Sequence, residues 1–148
     1  MDICTVIKDI NNDGKAYKNR RMKSKSLPKL KADLQKVFNA YIRARDEGKP
    51  CISCGLMKDL QAGHYYPTQG YDGLRFDEFN VHGECPGCNC WDGGHLISYG
   101  HNLIERIGEK EYYFLKLRAS NYKQNGYKWS RSELMDKIAH YKDILKSI

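Results

Sequence analysis

What most constrains this chain is a pair of Cys-x-x-Cys knuckles, Cys51-Ile-Ser-Cys54 and Cys85-Pro-Gly-Cys88. Each knuckle can present two thiolates to one point, and four soft sulfur donors at tetrahedral angles suit Zn²⁺. The segment between the knuckles is longer than in a short zinc ribbon. It is long enough for a β-hairpin whose base the metal would tie. Pro86-Gly87 fill the second knuckle with residues that let backbone amides face the sulfurs. Two cysteines are left over: Cys90 rivals the ligands by proximity but lacks the two-residue spacing, and Cys4 reads as a free thiol. Disulfides of a secreted protein are the competing use. The paired spacing and the absence of a basic n-region in Met1-Asp2-Ile3-Cys4 argue for metal instead.

With 148 residues the chain reads as one domain with an arm: residues 1–27 as arm, 28–148 as domain. No run of eighteen apolar residues is present to span a membrane, so we expect a cytoplasmic protein. Lys and Arg number 25 against 18 Asp and Glu, a formal charge of +7, which suits a polyanionic partner. Nucleic acid is the common one; a merely basic soluble protein is the alternative. The charge is concentrated: Lys15, Lys18, Arg20, Arg21, Lys23, Lys25, Lys29 and Lys31 follow one another with no acid between them. Such a run serves either as a phosphate-contacting arm or as a solvated tail.

The spacing predicts a helix over 28–47, opened by Ser26 as cap with Pro28 in its first turn. Its apolar face is Leu30, Leu34, Val37, Phe38, Tyr41 and Ile42. Two strands are expected, Leu60–Tyr66 and Phe79–Gly83, around a loop holding Asp72-Gly73. The zinc-tied core would span 51–95, with a short helix from Asn89 that breaks at Gly93-Gly94. Helices follow over 96–107, 109–119 and from Ser130 onward. Ser130-Arg131-Ser132-Glu133 forms a capping box, and 120–126 reads as a polar loop.

The residues between the knuckles set this chain apart from a plain ribbon. A His-bearing first strand and an Asn directly after the last Cys resemble a nuclease of the HNH (ββα-metal) kind. The run Cys51-x-x-Cys54-Gly55, Ala62-Gly63-His64-Tyr65, Leu74-Arg75-Phe76, Asn80-Val81-His82 and Cys85-x-x-Cys88-Asn89 is similar to the phage lambda NinG/Rap family. The likeness continues through Leu103-Ile104-Glu105-Arg106-Ile107-Gly108 and Lys128-Trp129-Ser130, and back to Tyr41-Ile42-Arg43-Ala44-Arg45-Asp46. It covers roughly residues 28–146. One departure is Gly94-His95, where many members carry Gly-Asn.

The resemblance implies an α+β fold, a zinc-tied ββα-metal hairpin-helix core surrounded by α-helices. It implies a recombination endonuclease that cuts Holliday junctions and other branched DNA, such as D-loops. The implied general base is His64, since an imidazole can be neutral and accept a proton near pH 7. A structural or zinc-liganding histidine is the alternative, weakened because four cysteines complete the zinc site. Asn89 would hold the catalytic Mg²⁺ or Mn²⁺ through its amide oxygen, or else cap a helix. Asn80 would hydrogen-bond the loop after the first strand and hold His64 in place. His82 would share a face with Asn80 and contact phosphate or metal, or serve structurally. Arg75 is a phosphate clamp in this reading.

Many HNH enzymes carry an Asp just before the base as a second metal ligand; this chain has Gly63 there. A second ligand from elsewhere, His82 or His95, or a cation completed by water and phosphate, would make up for it. His101 and His140 read as structural or surface residues. Resolving a four-way junction takes two cuts, so a homodimer is expected. Its apolar surface would come from the C-terminal helices, through Tyr112, Leu115, Tyr141 and Leu145, unless these fill one core. Two other readings share the zinc and the charge: a DNA-binding module without catalysis, and a homing or restriction-type HNH enzyme on linear DNA.

Overall fold

The computed structural model describes residues 25–91 and 95–148. In chain order these form α1 (Leu27–Arg45), β1 (Gln61–His64), a single 3₁₀ turn (Asp72–Leu74), β2 (Val81–Glu84), α2 (Pro86–Trp91), α3 (His95–Ile107), α4 (Glu109–Asn125) and α5 (Arg131–Ser147). The fold is mixed α+β, mostly helical, with one two-stranded antiparallel sheet. Gln61 faces Glu84, Ala62 faces Gly83, Gly63 faces His82 and His64 faces Val81. Cys4, the arm residues Lys15, Lys18, Arg20, Arg21 and Lys23, and the break at Gly93-Gly94 lie outside the described residues.

Leu30, Leu34, Phe38 and Ile42 stand four residues apart on α1, so they line one side of the helix. All four are fully buried, against Leu134, Ile138 and Tyr141 of α5 together with Phe76 and Val81. Ser26 precedes α1 as its cap residue, but its side chain makes no capping bond. Pro28 follows within the first turn and has no N–H to give, which removes one of the amides a cap would bind. Across the molecule, Tyr99 and Leu103 of α3 meet Leu115 and Ala119 of α4, with Ile52 and Leu74 between them. Leu115 and Tyr141 are therefore core residues, not free surface for a second copy.

Four boundaries differ from the sequence reading: the short helix expected from Asn89 begins at Pro86, because Asn89 N already bonds back to Cys85 O (2.9 Å). Helix α4 continues to Asn125, because 120–125 hold no Gly or Pro and the polar residues simply face water. It ends at Gly126, whose φ of 68° a non-glycine residue rarely adopts. Both strands are shorter or shifted. Asn80 gives its N–H to Asp77 O (3.0 Å), so it belongs to a turn, and β2 begins after it. The Ser130 capping box is present in full, with Glu133 N on Ser130 Oγ (3.2 Å) and Ser130 N on Glu133 Oε2 (2.8 Å).

The sheet is joined to α1 by a buried carboxylate. Asp46 follows the last turn of α1 and is fully enclosed. It accepts from Gly83 N (2.8 Å), Arg45 Nε (3.0 Å) and Nη2 (2.7 Å), and Lys49 Nζ (2.9 Å). Arg45 also donates to Glu78 O (3.0 Å) and Val81 O (2.8 Å). Burial by itself would raise the Asp46 pKa, but hydrogen bonds from Arg45, Lys49 and the Gly83 amide hold it well below the usual carboxylate range. Removing such a carboxylate leaves the Gly83 amide without an acceptor and the Arg45 charge without its buried counterion. Asp46→Ala is expected to cost roughly 3–5 kcal/mol of folding stability, measured by urea denaturation.

Candidate functional site

The first knuckle folds because Gly55 takes φ 71°, allowing its N–H to return to Cys51 O (2.9 Å). Ile52 N then donates to Gly83 O (3.0 Å), which lays this knuckle along the outside of β2. The second knuckle runs from β2 into α2, and Cys85 N donates to Cys51 Sγ (3.3 Å). The Sγ atoms of Cys51, Cys54, Cys85 and Cys88 all lie within 4.8 Å of one another, with Cys54 and Cys85 at 3.9 Å. A tetrahedral Zn²⁺ with Zn–S bonds of about 2.3 Å requires sulfurs roughly 3.8 Å apart, so the cluster can hold a metal such as zinc.

The four thiols are not equivalent. The Cys88 amide N–H lowers the Cys85 thiol to about 7. Burial raises Cys51, and burial together with the sulfurs of Cys85 and Cys54 raises Cys88. Four adjacent thiolates repel unless a cation sits among them. Cys90 stays outside the cluster, exposed, with its thiol toward Gln61 Oε1 (3.7 Å).

His64 ends β1. Its Nε2 lies 3.0 Å from the carbonyl oxygen of Arg75. A carbonyl accepts only, so in the neutral ring the proton sits on Nε2 and the lone pair on Nδ1. Burial pushes the imidazole below its ordinary 6.5; the Arg75 carbonyl opposes this and the Arg75 charge adds to it. At pH 7 the ring is neutral, with one nitrogen fixed and the other basic.

Asn80 holds the loop beyond His64. Its Oδ1 accepts from Tyr66 N (2.8 Å), and its Nδ2 donates to Tyr66 O (3.0 Å) and Leu74 O (3.1 Å). Leu74 precedes Arg75, whose carbonyl meets His64. Arg75 turns its side chain away from the base, with Nε on Asp72 (2.7 Å) and Nη1 on Gln35 (3.2 Å). It lines a shallow groove on α1 with Lys31 and Lys36. Lys31 also pairs with Asp72, and Lys25 pairs with Asp33 at 2.5 Å.

Tyr99 is a tie that sequence reasoning missed. From α3, fully buried, its hydroxyl donates to Gly63 O (2.8 Å) and accepts from His82 N (3.1 Å), bridging two facing residues of the hairpin. An apolar-face position on a helix gives no hint of this, because the role belongs to the hydroxyl and to the strands it reaches.

His82 is 4% exposed, and both ring nitrogens are taken. Nδ1 accepts from Arg45 Nη2 (3.1 Å), and Nε2 donates to Phe79 O (3.3 Å). Burial, then the Arg45 charge, lowers its pKa to about 4, so it is neutral and committed to the protein. On the same side of the sheet Glu84 is fully buried, its Oε1 receiving Ser53 Oγ and His95 Nδ1 (2.6 Å). Asn89 gives Nδ2 to Gln61 Oε1 (3.0 Å), the strand partner of Glu84, which turns its amide oxygen out of that bond. Among the described residues no helix is long and apolar enough to cross a membrane.

Comparison with known proteins places these residues in a family context. Residues 7–148 match the family model described as "Bacteriophage Lambda NinG protein". The chain is 40% identical over 116 residues to Protein ninG of Escherichia phage 933W, covering 77% of this chain and 55% of that one. It is 39% identical over 116 residues to Protein ninG of Escherichia phage lambda, covering 77% and 54%. Over 76 residues it is 50% identical to Protein ninG of Salmonella phage P22, covering 50% and 37%. The chain thus spans about half the length of the curated relatives it matches. No solved structure matches it.

The sulfur geometry makes metal content measurable. Purified protein is expected to carry one Zn²⁺, and Cys85→Ser to lose it together with the folded hairpin. Elemental analysis alongside circular dichroism checks both; a stoichiometry near zero in reduced protein would contradict the expectation.

Proposed function

The chain belongs to the bacteriophage lambda NinG family, and on that footing we propose that it is a divalent-metal-dependent endonuclease of the HNH kind. Its substrate is branched DNA, Holliday junctions and D-loops among them, during phage recombination in the host cytoplasm. The observation that carries the reading is His64. It stands at the end of the first strand, neutral, with Nε2 spent on Arg75 O and Nδ1 available as a base. Burial lowers His82 as well, but both of its ring nitrogens are bonded within the protein; His64 is neutral at pH 7 and oriented through Nε2 alone, as a general base requires.

In the proposed reaction His64 Nδ1 takes a proton from water. The water oxygen bonds to phosphorus, and the bond from phosphorus to the 3′ oxygen breaks. Asn80 fixes the loop that ends at Arg75 and so keeps the ring from turning. A bound Mg²⁺ or Mn²⁺ would neutralise charge at the scissile phosphate and on the departing oxygen. Asn89 fits such a cation, since its Nδ2 is held by Gln61 and its hard amide oxygen is left to offer. The four cysteines hold Zn²⁺ structurally and set Asn89 within the short helix Pro86–Trp91. Arg75, Lys31 and Lys36 in their groove, and the arm residues Lys15, Lys18, Arg20, Arg21, Lys23 and Lys25, supply phosphate contacts. A homodimer would place two such centres on the two-fold symmetric junction.

His64→Ala is expected to lower the rate of junction cleavage by about 10²–10⁴ while zinc content and DNA affinity stay unchanged. The wild-type rate should be flat above about pH 6.5 and fall on acidification as His64 takes up its proton, because its pKa lies below the ordinary value. Labelled four-way, flap and linear DNA, with and without Mg²⁺, test the assignment. Binding without cleavage would make the protein a zinc-stabilised DNA-binding module; equal cleavage of linear duplex would remove the junction preference.

Deleting residues 1–24 should weaken binding and flatten its dependence on salt, since fewer counterions are released. An unchanged salt slope would make the arm a bystander. Sedimentation with and without a junction reports the dimer.

A further inference from the structure

Glu84 is fully enclosed, and its two oxygens are treated unequally. Oε1 receives two hydrogen bonds, from Ser53 Oγ and His95 Nδ1. Oε2 is buried and has no partner among the described residues. An orphaned carboxylate oxygen away from water is costly, and proteins rarely keep one without a use. Two bonds on one oxygen also fix the direction of the other, as the outer hydrogen bonds of a metal-ligating carboxylate do.

The position of that oxygen is specific. A Cβ built on Gly63 would lie 2.2 Å from Glu84 Oε2 and 2.7 Å from Glu84 Cβ. The carboxylate therefore occupies the space that a side chain at position 63 would fill. That position is the one directly before His64 on β1. Gly63 and His64 are neighbours on one strand and point to opposite faces, as an acid and a base on adjacent residues would. Gln61 faces Glu84 across the sheet and holds Asn89, which brings the proposed amide ligand to the same face.

We propose that Glu84, through Oε2, is a ligand of the catalytic divalent cation, supplied from the second strand in place of the acid missing at Gly63. His95 and Ser53 are its positioning residues. This rests on the nuclease reading for the purpose of the cation, but the cation site itself can be tested without DNA. The donor set is a carboxylate oxygen and an amide oxygen, both hard, which favours Mg²⁺ or Mn²⁺ over zinc.

The test is Mn²⁺ binding by the zinc-loaded full chain, followed by loss of the free Mn²⁺ electron paramagnetic resonance signal. Wild type is expected to bind one Mn²⁺. Glu84→Gln should weaken it by tenfold or more, and His95→Gln by less, with zinc content and circular dichroism unchanged. The exchange variant Gly63→Asp with Glu84→Gly, which removes the collision and returns the carboxylate from the other strand, should recover affinity. Wild type without bound Mn²⁺, or a zinc-loaded Glu84→Gln that binds as wild type does, overturns the proposal. So does a zinc-loaded exchange variant no better than Glu84→Gln. Failure of the nuclease reading would look different: Mn²⁺ binding would follow Glu84 as expected, while wild type and His64→Ala would both leave branched DNA uncut.

Discussion

Two strands of four residues cannot hold themselves together in water, so every feature of this hairpin depends on ties from outside the ladder. The four-sulfur cluster is the tie at its base. It joins the loop before β1 to the helix after β2, and so fixes where each strand begins and ends. Asp46 holds the middle of β2 to α1, and Tyr99 holds Gly63 and His82 from α3. Asn80 closes the far end. The ladder itself contributes little; the ties determine which residues face each other.

This arrangement gives the two faces of the hairpin different surroundings. His64 and Val81 lie on the face toward α1 and α5, where apolar packing dries the surroundings and lowers the imidazole pKa. Gly63, His82 and Glu84 lie on the face toward α3, where polar side chains are enclosed and paired. The proposed base and the proposed cation ligand therefore sit in different surroundings. A strand, with its alternation, offers both to adjacent positions.

Much of this was legible in the chain. The cysteine spacing and the apolar stripe of α1 follow from local pattern, and local pattern survives folding. The strand ends were misjudged because Asn80 spends its N–H on a turn, a choice that residue type does not reveal. Helix α4 ran past its expected end because polar residues without Gly or Pro do not stop a helix. Glu84, Asp46 and Tyr99 escaped notice for a common reason. A lone acid in a strand or after a helix looks like surface, and a tyrosine on an apolar stripe looks like packing. Asp46 and Tyr99 take their places from partners 17 to 37 residues away, and Glu84 fills the space left by the absent side chain of Gly63.

The pairing of α1 with α5 has a consequence for how the protein comes into being. Arg131 at the head of α5 reaches back 106 residues to Lys25 O (2.7 Å), and the stripe of Leu30, Leu34, Phe38 and Ile42 is covered largely by α5. On a ribosome adding about 5–20 residues per second, that stripe emerges several seconds before its cover does. During translation the hairpin and its metal site can be complete while one flank of the molecule is still bare. The nascent chain therefore passes through a stage in which the apolar stripe of α1 is uncovered.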